Sequence, residues 1–425
     1  MLAINPNEPQ FRDERECPYC AERILKKVRV CKHCGRDVEP LVTTHAPAQA
    51  PPPARSPTAE DVPGGCSATG YSGAVLSSHT EIRQLREVAR RFMQQHVDPM
   101  QDPEFFLASV PFGWRPRVVA INRGGEIAGI MYAMERVFAG IPSGIVCADG
   151  GLSSPLLGHP CHRQVLFRVA VESLLAHPRI GSVCLVVPQD SDDFDSVKQV
   201  ADRTGLQVRY SGVLPHDSNL WKKHGHLALP GTYEEFLKGL GYTTRHNFRY
   251  YRRRFEAAGH RLVERLSTDA LHSAVSCLAP KTKHYDEATR VRLETQLNVV
   301  ATTDRQLAMG LRHQSGEWLS VVAGWYRPRG AVLYFQCNND QEFGQYSLSL
   351  VLRGYLIEHL VRQKLEELVI WWGSGPPLSR YVTYVPAIMT RFDELTLWWR
   401  VTRRMIATAG PRLPKRWAEA ARWFA

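Results

Sequence analysis

Apolar positions recur in the same order in two stretches of the chain. Between residues 71 and 215, apolar runs bounded by turn residues predict strands, and an apolar stripe at helical spacing predicts a helix. In chain order these are strands at Arg117–Asn122, Ile127–Glu135 and Gly144–Ala148, a helix at His162–Ala176 and a strand at Ser182–Val187. Two glycines between the first two strands favour a hairpin turn.

The order strand, strand, strand, helix, strand returns between residues 225 and 400. The elements predicted there are helices at Thr232–Leu240 and Thr244–Ala258, strands at Gln306–Arg312, Trp318–Tyr326 and Ala331–Cys337, a helix at Tyr346–Gln363 and a strand at Glu367–Trp372. Residue-level identity between the two stretches is negligible, so the repeat is one of architecture. We therefore expect an α/β protein of the α+β kind with mixed sheets, built as two similar modules.

The composition suits a folded protein of more than one domain. The chain has 425 residues, of which 44% are hydrophobic and 22% are charged, and this length favours two or three domains. Residues 41–66 are rich in proline and alanine and lack apolar periodicity, which is typical of a linker. The expected division is 1–40 for a small cysteine-rich unit, 41–70 for the linker, 71–215 and 216–400 for the two modules, and 401–425 for a basic tail.

Four cysteines near the N-terminus form two C-x-x-C pairs, Cys17 with Cys20 and Cys31 with Cys34. Two such pairs on tight turns can close a tetrahedron of thiolates around Zn²⁺, and four sulfurs leave no position for a reacting water. The spacing therefore predicts a structural zinc ribbon at residues 1–40, which can recruit a protein partner. Four unrelated reduced thiols are the alternative interpretation.

The opening residues 1–16 lack the apolar core of a secretory signal. No stretch of the sequence approaches the roughly 18 apolar residues that span a bilayer. We therefore expect a cytoplasmic protein, in which the thiols stay reduced.

The formal net charge of +11 is concentrated in two segments. Tyr242–Arg265 holds seven arginines against two glutamates, and Arg391–Ala425 holds eight lysines and arginines against three acids. The second segment also carries Trp417 and Trp423, so it can rest on an anionic membrane, although docking on the protein's own surface is the favoured interpretation. A basic protein of this kind often meets an anionic partner.

Within the first segment, Phe248, Tyr251 and Phe255 form one helical stripe with arginines beside and opposite it. Such a pattern fits an amphipathic helix with a solvated basic face, or a helix whose arginines meet phosphate. The run His246–Asn247–Phe248–Arg249, followed by the arginine run and Ala-Ala-Gly, resembles the H-R-x-N-L-R-R segment of bacterial acyltransferases of the GNAT superfamily. The relevant branch is grouped with the FemAB-type peptidoglycan-bridge transferases.

This resemblance implies two GNAT-like modules in tandem, here preceded by the zinc ribbon. It also implies contacts to substrate or phosphate from His246, Asn247, Arg249, Arg253 and Arg380. Arg380 falls near a lysine of the family pattern. Trp371 stands where the family has an acidic residue, and Leu348–Ser349 replaces a Pro-Gly pair.

In the resembled fold, the pantetheine arm of coenzyme A lies along the strand at Val332–Cys337, and its diphosphate rests on the start of the next helix. A helix N-terminus suits an anion in any case, because it carries partial positive charge and unpaired N–H groups. The implied donor-binding residues are Gln336, Gln345, Tyr346, Ser347, Ser349 and Gly373. The alternative is that the serines only cap a core helix.

The expected reaction is transfer of an acyl group, acetyl being the first choice, from acyl-CoA to an unidentified amine. Such a transfer needs an amine that loses its proton and a carbonyl held beside it. Tyr334 and His284 are the acid–base candidates in the expected cleft. Two alternatives stay open: a transferase that takes its group from aminoacyl-tRNA, which clustered arginines favour, and a non-catalytic fold that serves as a binding module.

Overall fold

A computed structural model of the chain shows its architecture. It describes residues 14–16, 23–25, 70–93, 98–138, 140–189, 191–203, 206–213, 224–281, 287–371, 377–385 and 387–393. Within this part of the chain, no helix has the length and apolar character needed to cross a membrane.

The first half contains most of one sheet. Its elements are β1 (Glu14–Glu16), β2 (Arg23–Leu25), β3 (Tyr71–Leu76), α1 (His79–Gln84), α2 (Arg86–Met93), α3 (Pro103–Ser109), β4 (Trp114–Arg123), β5 (Glu126–Phe138), β6 (Ile141–Asp149), β7 (Leu156–Gly158), α4 (Arg163–Leu175), β8 (Ser182–Pro188), α5 (Asp192–Arg203) and β9 (Gln207–Val213). The predicted hairpin between β4 and β5 is confirmed: Gly124 and Gly125 adopt φ values of +60° and +88°, which side chains disfavour.

The second half contains the other sheet. Its elements are β10 (Gly225–Ala228), α6 (Tyr233–Gly239), α7 (Tyr242–Ala257), β11 (Arg261–Val263), α8 (Thr268–Leu278), α9 (Glu287–Ala301), β12 (Gln306–Arg312), β13 (Trp318–Arg327), β14 (Gly330–Asn338), α10 (Asp340–Phe343), α11 (Leu348–Arg362), β15 (Glu367–Ile370), β16 (Thr383–Tyr384) and β17 (Ala387–Asp393). The repeated order of strands and helix is confirmed, and both large sheets are mixed.

The first sheet has the order β3-β4-β5-β6-β8-β17-β9, with β7 paired to β5. Strand β17 comes from the end of the described chain, yet it lies antiparallel between β8 and β9. Buried polar groups fix it there: Arg391 donates to Ser182 and to Asp393, each at 2.8 Å, and Asp393 also accepts from Arg209 at 2.7 Å. A division of the chain at residue 215 therefore does not separate the two sheets.

The second sheet has the order β11-β12-β13-β14-β15-β10-β16. Only β14 and β15 among its described neighbours run parallel, joined through α11. Helices α6, α7 and α11 cover one face of this sheet, while α8 and α9 cover the other.

The aromatic stripe predicted for α7 is confirmed as a core contact. Phe248 and Phe255 are buried against α11 and the sheet, and Tyr251 packs beside them. Gly354 of α11 allows this approach, because a Cβ there would lie 3.1 Å from the ring of Phe248. Gly259, with φ of +73°, follows the end of α7 as expected for a helix C-cap.

The two halves meet through α3 and α9. Gln296 of α9 donates to the hydroxyl of Ser109 at 2.8 Å. Phe105 of α3 enters a cluster formed mainly by the second half, including Trp325, Val332 and Val369. This shared apolar cluster lies directly against the end of β14, where the candidate site is found.

Candidate functional site

Strands β14 and β15 pair in parallel over only four residues each. This pairing extends from Gly330 opposite Glu367 to Leu333 opposite Ile370, and the amide of Trp371 closes it with a 2.9 Å hydrogen bond to the Leu333 carbonyl. Among the described residues, 334–338 of β14 pair with β13 alone. We call the edge of β14 at residues 334–338, which lies beyond this parallel pair, the seam.

A β-bulge lies at the start of the seam. On β13, Gly324 pairs with Leu333 while the adjacent Ala323 pairs with Phe335, so Tyr334 is the extra residue. A bulge breaks the alternation of side chains. Tyr334 and Phe335 therefore both pack towards α8 and α9. Tyr334 and Gln336, which simple alternation places on one face, point to different surroundings.

Tyr334 lies in an aromatic cluster. Its ring centroid is 5.4 Å from those of Phe105 and Trp371 and 5.5 Å from that of Trp325. Burial raises the pKa of Tyr334 well above its usual range, against a hydrogen bond from Gln296. The phenol therefore stays protonated near neutral pH and can donate a hydrogen bond, but it cannot serve as a base.

Helix α11 begins beside the seam with a strained residue. Ser347 is its N-cap, in the position predicted, but it has left-handed backbone angles (φ 49°, ψ 56°) and its hydroxyl makes no capping hydrogen bond. Such a conformation costs a non-glycine residue about 1–2 kcal/mol. The first-turn N–H groups of Leu348 and Ser349 have no partner within the helix, as at any helix start. The left-handed residue therefore lies at the N-terminus of α11, beside the seam.

Two guanidinium groups approach this helix terminus. Arg353, one turn into α11, donates from Nε to the side-chain oxygen of Gln336 at 2.8 Å, and Gln336 in turn donates to the Ser349 carbonyl at 3.3 Å. Burial lowers the pKa of Arg353. From α7, Arg254 donates to the Gln345 carbonyl at 3.1 Å and lies 5.5 Å above the ring of Tyr346. Sequence reasoning named Gln336, Gln345, Tyr346 and the serines but missed both arginines.

The arginines predicted on α7 lie on a different surface. Arg249 is exposed and pairs with Glu234 at 2.6 Å, and Arg253 donates to the Arg249 carbonyl at 3.3 Å. Arg380 is exposed in the turn Leu378–Arg380. The contacts described for Arg249 and Arg253 are with α6 and α7, not with the start of α11.

His246 belongs to an exposed row of rings on the same helix. It stacks between Tyr242 and Tyr250, with centroid separations of 6.3 and 5.9 Å. The two tyrosines are 66% and 42% exposed, so the row faces solvent. Asn247, also predicted to contact substrate, is partly buried beside it.

Several predicted residues lie outside the described part of the chain: His284, Gly373, Cys17, Cys20, Cys31 and Cys34. Their roles remain predictions. The residues that are described contain no group of three or more metal-ligating side chains.

The loop after β6 brings further chemistry to the seam, which sequence reasoning missed. Asp149, the last residue of β6, accepts a hydrogen bond from the Gly151 amide at 2.9 Å. Gly151 has φ of +60°, and a Cβ there would lie 3.1 Å from the indole of Trp371. His224 stacks on Trp371, with its ring centroid 3.8 Å from that of Trp371. A signal for this loop exists in the sequence: an aspartate and two glycines directly after a buried strand.

The two ionisable groups of this loop region have strongly shifted pKa values. Burial raises the pKa of Asp149 to about 6, against the Gly151 hydrogen bond. Burial, with help from His226 and Arg327, lowers the pKa of His224 to about 3. At neutral pH the imidazole of His224 is therefore neutral, whereas the carboxylate of Asp149 can exchange protons.

Comparison with solved structures places the fold among known ones. FemX aligns with a TM-score of 0.51 at 8% identity, over 77% of this chain and 99% of FemX. A tandem GNAT protein from the clavulanic acid biosynthesis pathway aligns at 0.38 and 13% identity, over 76% and 98% of the two chains. L-PGS from Bacillus licheniformis aligns at 0.46 and 9% identity, over 73% and 93%. The likeness to FemX shows a shared fold, and the two weaker likenesses add no argument of their own.

No family model and no curated protein sequence matched the chain.

Proposed function

We propose that this protein is an acyltransferase that moves an acyl group, acetyl being the first choice, from acyl-CoA to an amine. The observation that carries the proposal is the start of α11, which lies beside the end of the parallel pair β14–β15 and is approached by the guanidinium groups of Arg254 and Arg353. The fold shared with FemX and the resemblance of the α7 segment to GNAT-type transferases support it.

Each part of the site suits one part of the donor. The first-turn N–H groups of α11, which have no partner within the helix, and two guanidinium groups suit a diphosphate, because helix termini and arginines both bind anionic oxygens well. The seam lies beyond the point where the parallel pair β14–β15 ends, which suits an extended pantetheine arm laid alongside the strand. The thioester then lies near Tyr334, whose protonated hydroxyl can donate to the carbonyl oxygen or the departing sulfur.

Coenzyme A binding to the full chain, measured by isothermal titration calorimetry, tests the proposal. Arg254→Ala should weaken binding about 10-fold or more, because a hydrogen bond to a charged group contributes roughly 1.5–3 kcal/mol. Arg249→Ala is the matched control: it removes an exposed arginine of the same helix that pairs with Glu234 instead, and it should leave the affinity unchanged. Absence of coenzyme A binding by the wild type, or equal loss in both variants, would refute the donor site.

A second candidate function uses aminoacyl-tRNA as the donor. The exposed row Tyr242–His246–Tyr250, flanked by Arg249 and Arg253, favours it. RNA bases can stack on exposed aromatic rings, and arginines bind the phosphate backbone of RNA. Tyr250→Ala should then weaken salt-sensitive binding of tRNA, measured by filter binding, while coenzyme A affinity stays as in the wild type. If neither ligand binds, a non-catalytic binding module becomes the better interpretation.

The N-terminal segment is proposed to hold structural Zn²⁺ through Cys17, Cys20, Cys31 and Cys34. Strands β1 and β2 pair antiparallel, from Glu14 opposite Leu25 to Glu16 opposite Arg23, and the segment that joins them contains Cys17 and Cys20. A hairpin of this kind suits one half of a four-thiolate site. Zinc content measured by mass spectrometry, with Cys17→Ser as the comparison, tests this proposal. We also propose that the ribbon recruits a protein partner and that the protein is cytoplasmic.

A further inference from the structure

Strands β5 and β6 form a hairpin whose turn projects from one end of the first sheet. The two strands stay paired as far as Phe138 opposite Ile141. Among the described strands, β8 joins β6 only from Ile145 onward, and β4 reaches along β5 only as far as Trp114, opposite Arg136. The end of the hairpin therefore extends beyond both neighbouring strands.

Two large apolar side chains are exposed beside this turn. Phe112, in the loop before β4, is fully exposed, and Ile141 is 70% exposed. The Gly113 carbonyl accepts a hydrogen bond from the Val137 amide at 2.8 Å, so the loop that carries Phe112 is fixed against the hairpin. We call Phe112, Val137, Ile141 and Pro142 the apolar tip. Exposed apolar groups that lie together mark interaction sites.

The charges at the base of the apolar tip are mainly positive. Arg115 and Arg117 of β4 both bind the buried carboxylate of Glu135, at 2.7 and 2.8 Å. Glu135 also accepts a hydrogen bond from the Gly144 amide at 3.0 Å, at the start of the projecting part of β6. One negative charge is thus matched by two guanidinium groups. At the same end of the sheet, Asp393 is likewise paired with two arginines.

Two more arginines add to this positive charge. Arg136 of β5 lies 5.2 Å above an indole ring of β4. Arg179 is exposed in the turn between α4 and β8, and this turn is joined to β6 by a 3.0 Å hydrogen bond from the Gly181 amide to the Gly144 carbonyl. Burial lowers the pKa of His177 in the same turn, and three of these arginines lower it further against a single carboxylate. The surroundings of the apolar tip are therefore basic.

The C-terminal tail leaves the fold at this end of the sheet. Strand β17 ends with Asp393 opposite Ser182, and Ser182 is also the residue of β8 that lies opposite Ile145 of β6. Residues 394–425 hold seven lysines and arginines, two glutamates and four tryptophans. A basic segment with tryptophans suits the interface of an anionic bilayer, and its charge disfavours docking on the arginines around the apolar tip.

We propose that the apolar tip docks on an anionic membrane surface, with its apolar side chains at the acyl boundary and the surrounding arginines at the lipid phosphates. The inference is independent of the proposed acyl transfer. Apolar groups that project from a ring of arginines match an interface in which acyl chains lie beneath phosphates. Ile141 decides between lipid and RNA as the anionic partner, because RNA bases stack on rings, whereas an aliphatic side chain gains from leaving water.

Sedimentation of the full chain with vesicles tests the proposal. The vesicles contain phosphatidylcholine alone or equal parts of phosphatidylcholine and phosphatidylglycerol. The wild type should sediment with the mixed vesicles only, and less so at high salt, because salt screens the attraction between arginines and phosphates. Phe112→Ser combined with Ile141→Ser should weaken binding to the mixed vesicles by about 10-fold or more, since two large apolar side chains no longer leave water.

A matched control separates the apolar tip from exposed apolar residues in general. Tyr384→Ser removes an exposed aromatic side chain of β16, just before β17 begins, whereas the tip lies at the end where β17 finishes. This variant should bind the mixed vesicles as the wild type does. In the wild type, mixed vesicles should also slow amide hydrogen exchange in residues 111–113 and 137–142, and circular dichroism should show the same fold in every variant.

Each other outcome overturns a defined part of the proposal. Wild-type binding by the double variant, or slowed exchange confined to residues 394–425, would show that the tail binds without the tip. Equal binding to phosphatidylcholine vesicles would exclude recognition of anionic headgroups. Absence of binding to both vesicles would overturn the whole proposal. A wild-type dimer that the double variant loses, seen by analytical ultracentrifugation, would assign the tip to a second copy of the chain, and slowed exchange of the tip with tRNA alone would assign it to RNA.

Discussion

The charge of Asp149 should lower the stability of the folded protein near neutral pH. In the fold, burial raises the pKa of this carboxyl from 3.8 to about 6. The folded state therefore disfavours the ionised form that the unfolded chain accommodates freely. Asp149→Asn keeps an oxygen that can accept the Gly151 hydrogen bond but removes the charge, so we expect the variant to be more stable at neutral pH.

The size and sign of this effect follow from the pKa shift. One pKa unit corresponds to 1.36 kcal/mol, so a shift from 3.8 to about 6 amounts to about 3 kcal/mol once both states are ionised. At pH 4 the carboxyl is protonated in the folded state and partly protonated in the unfolded state, so most of the cost has disappeared. The stabilisation by Asp149→Asn should therefore grow by about 2–3 kcal/mol between pH 4 and pH 8.

Urea unfolding followed by circular dichroism measures the difference between variant and wild type at both pH values. The pH dependence isolates the effect of charge, because the uncharged difference between Asn and protonated Asp is the same at each pH. Asp192→Asn, at an exposed position, should show no such growth. A difference that is flat between pH 4 and pH 8, or that shrinks, would show that the Asp149 carboxylate is solvated in the folded protein.

Three further changes test the fold and the site. Phe392→Ala should destabilise the protein by about 3–5 kcal/mol and should reduce hydrogen-exchange protection in β8 and β9. Phe236→Ala should instead reduce hydrogen-exchange protection in the second sheet. The reverse pattern would contradict the placement of β17. Asp393 has a lowered pKa because Arg391, Ser182 and Arg209 outweigh the effect of burial, so its contribution to stability should disappear as the pH falls below about 4; an acid-unfolding midpoint that is identical in Asp393→Asn would refute this. Gly151→Ala should lower the free energy of unfolding by about 1–2 kcal/mol because of its left-handed backbone; an unchanged free energy of unfolding in that variant would argue against close packing on Trp371.

The repeated core of the fold could be predicted because its elements are locally encoded. Strands such as β4, β13 and β14 are apolar runs bounded by turn residues, and α4 and α11 carry apolar stripes at helical spacing. Each of these patterns acts over a few residues, so no knowledge of distant partners is needed.

Strand β17 was missed because its stability is not local. Thr390, Arg391 and Asp393 look like surface residues in the sequence, yet all three are buried. They are tolerated there because Arg391 and Asp393 bond to Ser182 and Arg209 on neighbouring strands, and no window of sequence around residue 390 contains those partners.

The candidate site was predicted only where it follows the chain. The strand β14, the start of α11 and Ser347 as its N-cap are confirmed, since they are consecutive in sequence. The bulge at Tyr334, the approach of Arg254 from α7 and the contact of Gly151 with Trp371 depend on tertiary packing. Exposed arginines such as Arg249 were predicted to contact substrate because arginines are concentrated in that segment. Half-buried Asp149 lies in no such segment.

The position of β17 also affects the order in which the protein is made. While the ribosome is still translating residues before 387, β8 and β9 have no partner strand between them. The first sheet can close only after residues 387–393 have emerged, so the first half must wait for the end of the second. Nascent chains released early would expose two strand edges that invite aggregation, and premature termination should therefore produce insoluble fragments rather than a free first module.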